Sequence, residues 1–496
     1  PQARIQTRSC RAQPAMAVQP KSPAGAAKRI AILTVPLSGH RRLAVSVAGE
    51  MAARGFPVDF LVAVEGVTED LRSLDRECPN FALHAIERGT DMISKMDWLK
   101  VASSSGRLGG SKVALFQSIG EIFQDIEGMV EHWREMIEVL SAALPDVVVL
   151  DHAHKVLQQW AEDRGIPTVV LHTPYFQTGE PTGCARISAE DARRLDELLK
   201  VSNPFKMLDE AKEMLGIRGQ DIVLGEGEEG VPDASGLAPH TLVFCEPELL
   251  HTARLPPRVH AVGPCLSERD PLDADSHLLP WLDATAAAGQ KVLYVAFGTL
   301  ANGFLTAAAV GALIDAFDGL GETWRVLWSL PRAQQLLLEE SGRSPDGARV
   351  RVEAFVRQRA VLAHPAVRVF LTHGGQSSTN EGLAAGRPLV CLPLFCDQYE
   401  MAESVRRHGL GLVFHKDELL DGQAQRLCRL ILRAGGAALP EGRQALRAPH
   451  ADPRRMPSGG GGDREHRLRR CRLHRVVGGR MQGGGRGGGR GRPGAD

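Results

Sequence analysis

No run of about 18 apolar residues occurs in the chain, so no membrane-spanning helix is expected. Net charge is missing too: 59 Lys and Arg balance 59 Asp and Glu. A neutral chain has no overall field to gather nucleic acid or an anionic membrane, and neither is expected as a specific partner. The nine cysteines are odd in number and lack the spacing of a disulfide framework. That excludes a small disulfide-stapled scaffold and points to reduced thiols in a reducing, cytoplasmic compartment. Acidic residues are absent before Glu50. The leader 1–27, rich in Ala, Pro and Gln with Arg4, Arg8 and Arg11, has no apolar signal-peptide core. Its basic, acid-poor composition fits an organelle transit peptide, and it fits equally an unstructured leader ahead of a start at Met16.

What is present is the composition of a globular protein, 43% hydrophobic and 24% charged over 496 residues, enough for two domains with tails or for three. Residues 28–35 read as a buried strand, 36–39 as a turn and the segment from His40 as a helix stopping at Gly55; 58–64 is the next strand. This βαβ unit opens a doubly wound sheet, in which ligands gather at the carboxyl ends of the strands. His40 sits at such an end. A second strand, 146–151, ends in the carboxylate of Asp151; a helix over 154–163 and a strand over 167–171 follow. Between these units, Phe116, Phe123, Met129 and Trp133 either line an apolar pocket or pack an amphipathic helix. Strand 241–244 closes this half. A second α/β pattern holds a strand over 292–297 ending in Gly298-Thr299, a helix over 305–320 and a strand over 325–329.

The most informative stretch is 355–398, FVRQRAVLAHPAVRVFLTHGGQSSTNEGLAAGRPLVCLPLFCDQ. Strand 367–372 leads into the turn His373-Gly374-Gly375, and Ser378 to Glu381 has the spacing of a capping box opening a helix. The helix ends at Gly386, and 388–393 is the next strand. A glycine turn before a helix start is a site for a phosphate, because unpaired N–H groups and the positive end of the helix dipole converge there. Taken alone, the spacing equally supports plain helix capping by Ser378 and Glu381. Cys391 and Cys396 are too far apart for a CxxC pair and are read as packing residues.

Gln358, Leu362, His364, Pro365, Phe370, His373, Gly375, Ser378, Glu381, Gly386, Pro388, Pro393, Asp397 and Gln398 together resemble the nucleotide-sugar signature of the family 1 UDP-glycosyltransferases, best known from plant secondary metabolism. The resemblance runs from about Arg29 to Ala434, with its specific motifs in the second half. It implies an α/β fold of two facing Rossmann-like, doubly wound domains (the GT-B arrangement) with the active site in the cleft between them. The domains are placed at 28–262 for the acceptor and 281–446 for the UDP-sugar, joined by a linker over 263–280. The implied reaction is an inverting transfer of a sugar, with glucose favoured by Gln398, to a hydroxyl of a small lipophilic acceptor. His40 falls at the position of the general base and Asp151 at that of its orienting carboxylate.

For the donor, the resemblance implies that Thr299, His373 and Ser378 meet the phosphates. Glu381 takes the ribose hydroxyls, and Gln358 lies beside uracil and ribose. Phe355 stands at a tryptophan position that stacks on uracil, with Val356 next to it. Gly375, Gln376 and Ser377 belong to the same site, and Asp397 and Gln398 hold the sugar. Arg357 and Gln376 depart from the usual proline and tryptophan, and Arg41-Arg42-Leu43 from the smaller residues and proline that follow the base. No metal or other cofactor is implied, and a monomer is expected.

Three further patterns are set aside or reinterpreted. Gly225 to Gly230 fits GxGxxG, but its three glutamates would repel a pyrophosphate and no helix follows. His152-Ala153-His154 resembles half a metal site without a third ligand. The Arg/Gly-rich tail 447–496 has the composition of a disordered RNA-binding segment; a frameshifted translation of the end is the preferred reading. A nonenzymatic UDP-sugar-binding protein and a nucleotide-sugar epimerase of the same architecture are the alternatives.

Overall fold

Strands in this chain are short aliphatic runs whose alternate side chains enter two different cores. In β1 (Ile30–Thr34), Ile30 and Ile32 pack on one face of the sheet while Ala31 and Leu33 pack on the other. A strand buried on both faces is continuous in hydrophobicity, as parallel sheets covered by helices require. The computed structural model describes residues 27–436 apart from 92–94, 105–107, 123–124, 173–184, 202–203, 219–239, 251–254, 256–257, 267–276, 299–304 and 344. The leader, the GxGxxG loop, most of the expected linker, Thr299 and the Arg/Gly-rich tail lie outside the described residues.

The first sheet adds β2 (Val58–Ala63), β3 (Phe81–Ile86), β4 (Val147–Asp151), β5 (Thr168–His172), β6 (His240–Val243) and β7 (Val259–Ala261). Its order is β3-β2-β1-β4-β5-β6-β7, and all of its pairings are parallel. The second holds β8 (Lys291–Ala296), β9 (Trp324–Ser329), β10 (Val350–Glu353), β11 (Val367–Thr372), β12 (Leu389–Cys391) and β13 (Gly411–Val413), in the order β10-β9-β8-β11-β12-β13, again parallel. Strand order reverses between β1 and β4 in the first sheet and between β8 and β11 in the second. Each reversal opens a crevice at the carboxyl ends of the two central strands.

Several local expectations are corrected. The helix after β11 runs Gln376–Ala384, with Gly375 as its N-cap and no capping side chain. Ser378 therefore lies inside the first turn, and the capping box does not form there. The helix opening the second half begins at Leu278, inside the stretch assigned to the linker. Residues 259–261, ahead of the expected linker, form the edge strand β7. Of the two readings of Met129 and Trp133, helix packing holds: both are buried with Ala31, Leu33 and Val148 against the first sheet.

The two halves are joined by shared apolar packing. Val101, Ala102 and Ala114 of the first half belong to the core built on Leu293, Val369 and Val390, and Trp98 lies 5.6 Å from Phe395 between ring centroids. Within the second sheet, buried Phe370 stacks on buried Tyr294 with centroids 5.1 Å apart. Replacing Phe370 by Ala leaves a cavity between β8 and β11, and urea unfolding followed by tryptophan fluorescence is expected to show a loss of about 3–5 kcal/mol. A loss below about 1 kcal/mol would contradict the tight packing described for that face.

Candidate active site

The first crevice holds His40 and Asp151. His40 is the third residue of helix Ser38–Ala53, which follows β1; Asp151 is the last residue of β4. Because β1 and β4 are neighbours, side chains 111 positions apart meet: His40 Nδ1 lies 2.8 Å from Asp151 Oδ2. Asp151 is buried, and its second oxygen accepts the Ala153 N–H at 3.0 Å and lies 3.0 Å from His152 Nδ1. Burial alone would raise Asp151. The charges and hydrogen bonds of His40 and His152 outweigh it and hold the carboxyl well below its ordinary range. An ionised carboxylate accepts, so His40 Nδ1 carries the proton and the ring's lone pair is on Nε2. For His40, burial favours the neutral ring, but the charge and hydrogen bond of Asp151, with the charge of Asp397, raise it above 6.5.

The HxH pair does not converge. His152 stacks on His40 with centroids 5.6 Å apart. His154 caps the next helix and turns into the interior, where burial holds it below the ordinary histidine value. Among the described residues, His40, Asp151 and His152 each bring a metal-capable atom within 4.8 Å of the others. A cation there would take the atoms that form the His40–Asp151 bond.

The second crevice holds His373, directly after β11. A Cβ on Gly298 would meet its ring at 2.9 Å, and one on Gly375 would meet its Nε2 at 2.5 Å. Only glycine leaves room for the imidazole between these two turns. Burial pushes His373 down to about 4 against the pull of the Ala296 carbonyl, so the ring is neutral at physiological pH. Next to it begins helix Gln376–Ala384. Gln358 links this helix to the sheet: its Nε2 donates to Glu381 Oε2 at 2.7 Å and to Ser378 Oγ at 3.2 Å, and its Oε1 accepts from Tyr294 OH at 3.3 Å.

The crevices face each other. A Cβ on Gly39, at the start of the first helix, would stand 3.9 Å from Ser377 Oγ at the start of the other. Arg42 Nη1 reaches Glu381 Oε1 at 3.4 Å. Asp397 lies close enough for its charge to act on His40. Burial lifts Asp397 to about 6, although His40 and the backbone N–H groups of Asp397 and Gln376 favour its anion. Burial also lifts Glu400 to about 7, opposed by Lys112 of the first half.

Several residues of the expected donor set have other partners. Gln376 is buried and donates to the Phe244 carbonyl at 3.1 Å, and Asn380 donates to the same oxygen at 2.8 Å. These two amides tie the helix to the exit of β6. The Gln398 carbonyl accepts from the N–H groups of Leu394 and Phe395, which shapes the turn before it. Val356 is buried in the second core, whereas Phe355 is 72% exposed. Tyr294, Gly298, Asn380, Lys112 and Glu400 did not figure as site residues in the sequence reading. Gly298 closes a strand as Gly374 and Gly375 do, which was a usable signal; the others carry no local mark.

Comparisons with known proteins agree with this layout. Residues 256–421 match the model of the UDP-glucoronosyl and UDP-glucosyl transferase family. Among curated proteins, UDP-glycosyltransferase 1 of Phaeomoniella chlamydospora is 34% identical over 172 residues, 33% of this chain and 34% of that protein. UDP-glycosyltransferase 76F2 of Arabidopsis thaliana is 25% identical over 452 residues, 84% of this chain and 90% of that one. The chain thus spans about a third of the first of these relatives and nearly all of the second. Among solved structures, the glycotransferase of kitacinnamycin superposes with a TM-score of 0.61 at 21% identity, covering 85% of this chain and 94% of that one. At that identity the likeness concerns the fold.

The raised Asp397 yields a signed prediction. Its carboxyl ionises less readily in the folded chain than the ordinary 3.8, so it costs stability progressively from there up to about pH 6 and fully above. Asp397→Asn is expected to raise Tm at pH 7.5, with the gain fading below pH 6 and gone near pH 3.5. Thermal unfolding across that range checks it; a gain independent of pH would be wrong for this account.

Proposed function

We propose that the chain, whose residues 256–421 match the UDP-glucoronosyl and UDP-glucosyl transferase family model, is a UDP-glycosyltransferase that transfers a sugar, glucose in the first instance, from a UDP donor to a hydroxyl of a small lipophilic acceptor. The observation that carries this reading is the His40–Asp151 pair standing across a narrow cleft from the start of helix Gln376–Ala384. One side offers a base and the other a helix N-terminus suited to phosphate.

The acceptor's O–H loses its proton to His40 Nε2, and Asp151 stabilises the imidazolium that forms. The acceptor oxygen attacks the anomeric carbon as the bond from that carbon to the UDP oxygen breaks. That electron pair leaves with UDP, where N–H groups at the helix start and the Ser378 hydroxyl meet the developing charge. Attack opposite the leaving group inverts the α-configured donor to a β-glycoside. In this reading Glu381 and Gln358 take the ribose, Phe355 stacks on uracil, and Asp397 with the Gln398 amide addresses the sugar hydroxyls. Thr299 is assigned to the remaining phosphate contacts by the family resemblance alone.

All of these residues come from one chain, so a monomer suffices. Cys78, Cys245, Cys265, Cys391, Cys396 and Cys428 are all thiols, as a reducing cytoplasm would keep them. No helix among the described residues is long and apolar enough to cross a membrane.

The test is UDP release from UDP-glucose, UDP-galactose and UDP-glucuronate against pooled phenols, sterols and terpenoid alcohols, with mass spectrometry for the added sugar. Acceptor-dependent product that falls about a hundred- to ten-thousandfold in His40→Ala supports the reading. Product formation indifferent to His40 would overturn the assignment of the base. Since the base must be neutral and its pKa is raised, the acid limb of kcat/KM is expected above pH 6.5. Asp397→Asn removes one raising charge and should move that limb to lower pH. A limb that stays in place would show that Asp397 does not act on the base.

A further inference from the structure

Arg42 lies two residues beyond His40 on the first helix, roughly 200° around it. His40 therefore turns to its own sheet while Arg42 turns across the cleft. Its side chain is 62% exposed and reaches Glu381, which is 7% exposed. The contact is long for a charge-assisted bond, 3.4 Å against the 2.7 Å between Gln358 and the other Glu381 oxygen. A guanidinium carries five N–H donors, so this contact leaves Arg42 able to serve an anion entering beside it. The starts of the first helix and of helix Gln376–Ala384 border the same gap, as the approach of Gly39 to Ser377 shows.

We infer that Arg42 is the cation with which the first half of the molecule meets the donor's diphosphate, and that Glu381 holds it in place until the donor arrives. This rests on the donor-site reading above. When the nucleotide binds, its ribose hydroxyls take the Glu381 oxygens, and the guanidinium moves to the phosphate oxygens. Glu381 and Arg42 thus exchange a salt bridge with each other for one partner each on the donor. Binding then couples the two halves, because a residue on the helix of the base becomes a ligand of the leaving group. Arg42 would also oppose the charge that develops on UDP as the sugar departs.

The exchange makes opposite demands on two ligands. Uridine offers ribose hydroxyls and no phosphate, so for it Arg42 is only a competitor at Glu381. UDP offers both. Calorimetric titration of the full chain with UDP and with uridine, in wild type, Arg42→Gln and Arg42→Lys, separates the two effects. For Arg42→Gln, UDP is expected to bind about ten- to a hundredfold more weakly while uridine binds as well as in wild type or better. Arg42→Lys should recover part of the UDP affinity. Retained uridine binding certifies that the substituted protein is folded at this site. An unchanged ratio of UDP to uridine affinity in Arg42→Gln overturns the role of Arg42 while leaving the donor site standing. Failure of wild type to bind either ligand overturns the donor-site reading, and this inference with it.

Discussion

The 2.8 Å bond between His40 and Asp151 depends on almost everything else in the first half of the molecule. It exists because β1 and β4 are adjacent although two strands and several helices separate them in sequence. It holds its charge state because Asp151 is buried and its second oxygen is met by Ala153 N–H and His152. It faces a cleft because the order of strands reverses at that point, so the helices that follow β1 and β4 diverge. The second sheet repeats the device, with β8 and β11 setting Gly298 beside His373. A histidine–carboxylate pair on one side and a helix start on the other are the outcome of two switch points brought together.

Contacts between the halves decide how closely those points approach. The Phe244 carbonyl, at the exit of β6, accepts from both Gln376 and Asn380 of helix Gln376–Ala384. Lys416 is buried, and its ammonium donates to Ala102 of the first half and Leu394 of the second at 2.9 and 3.1 Å. Burial lowers that ammonium to about 8. A buried cation between two carbonyls is costly to leave unpartnered, so these contacts resist opening beyond what the apolar packing already opposes. The site is polar where it must react and tied down on either side by groups that do not react.

Much of this was legible in the sequence. Continuous aliphatic runs such as 367–372 announce strands buried on both faces, and Gly55 and Gly386, both with positive φ, end their helices as expected. His40 and Asp151 were locatable as strand ends, although their pairing required the order of strands, which no local pattern encodes. The misses have a common cause. Ser378 and Glu381 have capping-box spacing, yet Gly375 starts the helix earlier and releases both side chains to Gln358. Gln376, expected at the donor site, also donates its amide to the Phe244 carbonyl across the halves, a contact that no local pattern signals. Arg42 was visible as an oddity after His40, while its partner lies 339 positions away. Local spacing informs about helices and turns; which of two uses a polar side chain serves is decided by tertiary neighbours.

The central claim is that one nucleotide fills the gap between the two helix starts. Amide hydrogen exchange with and without UDP measures this directly, since the N–H groups of both helix starts border the ligand in this account. The account predicts slowed exchange at 38–42 and at 373–381 together, at the same UDP concentration. Slowing at neither segment, or at 373–381 alone, would contradict a donor site shared by the two sheets.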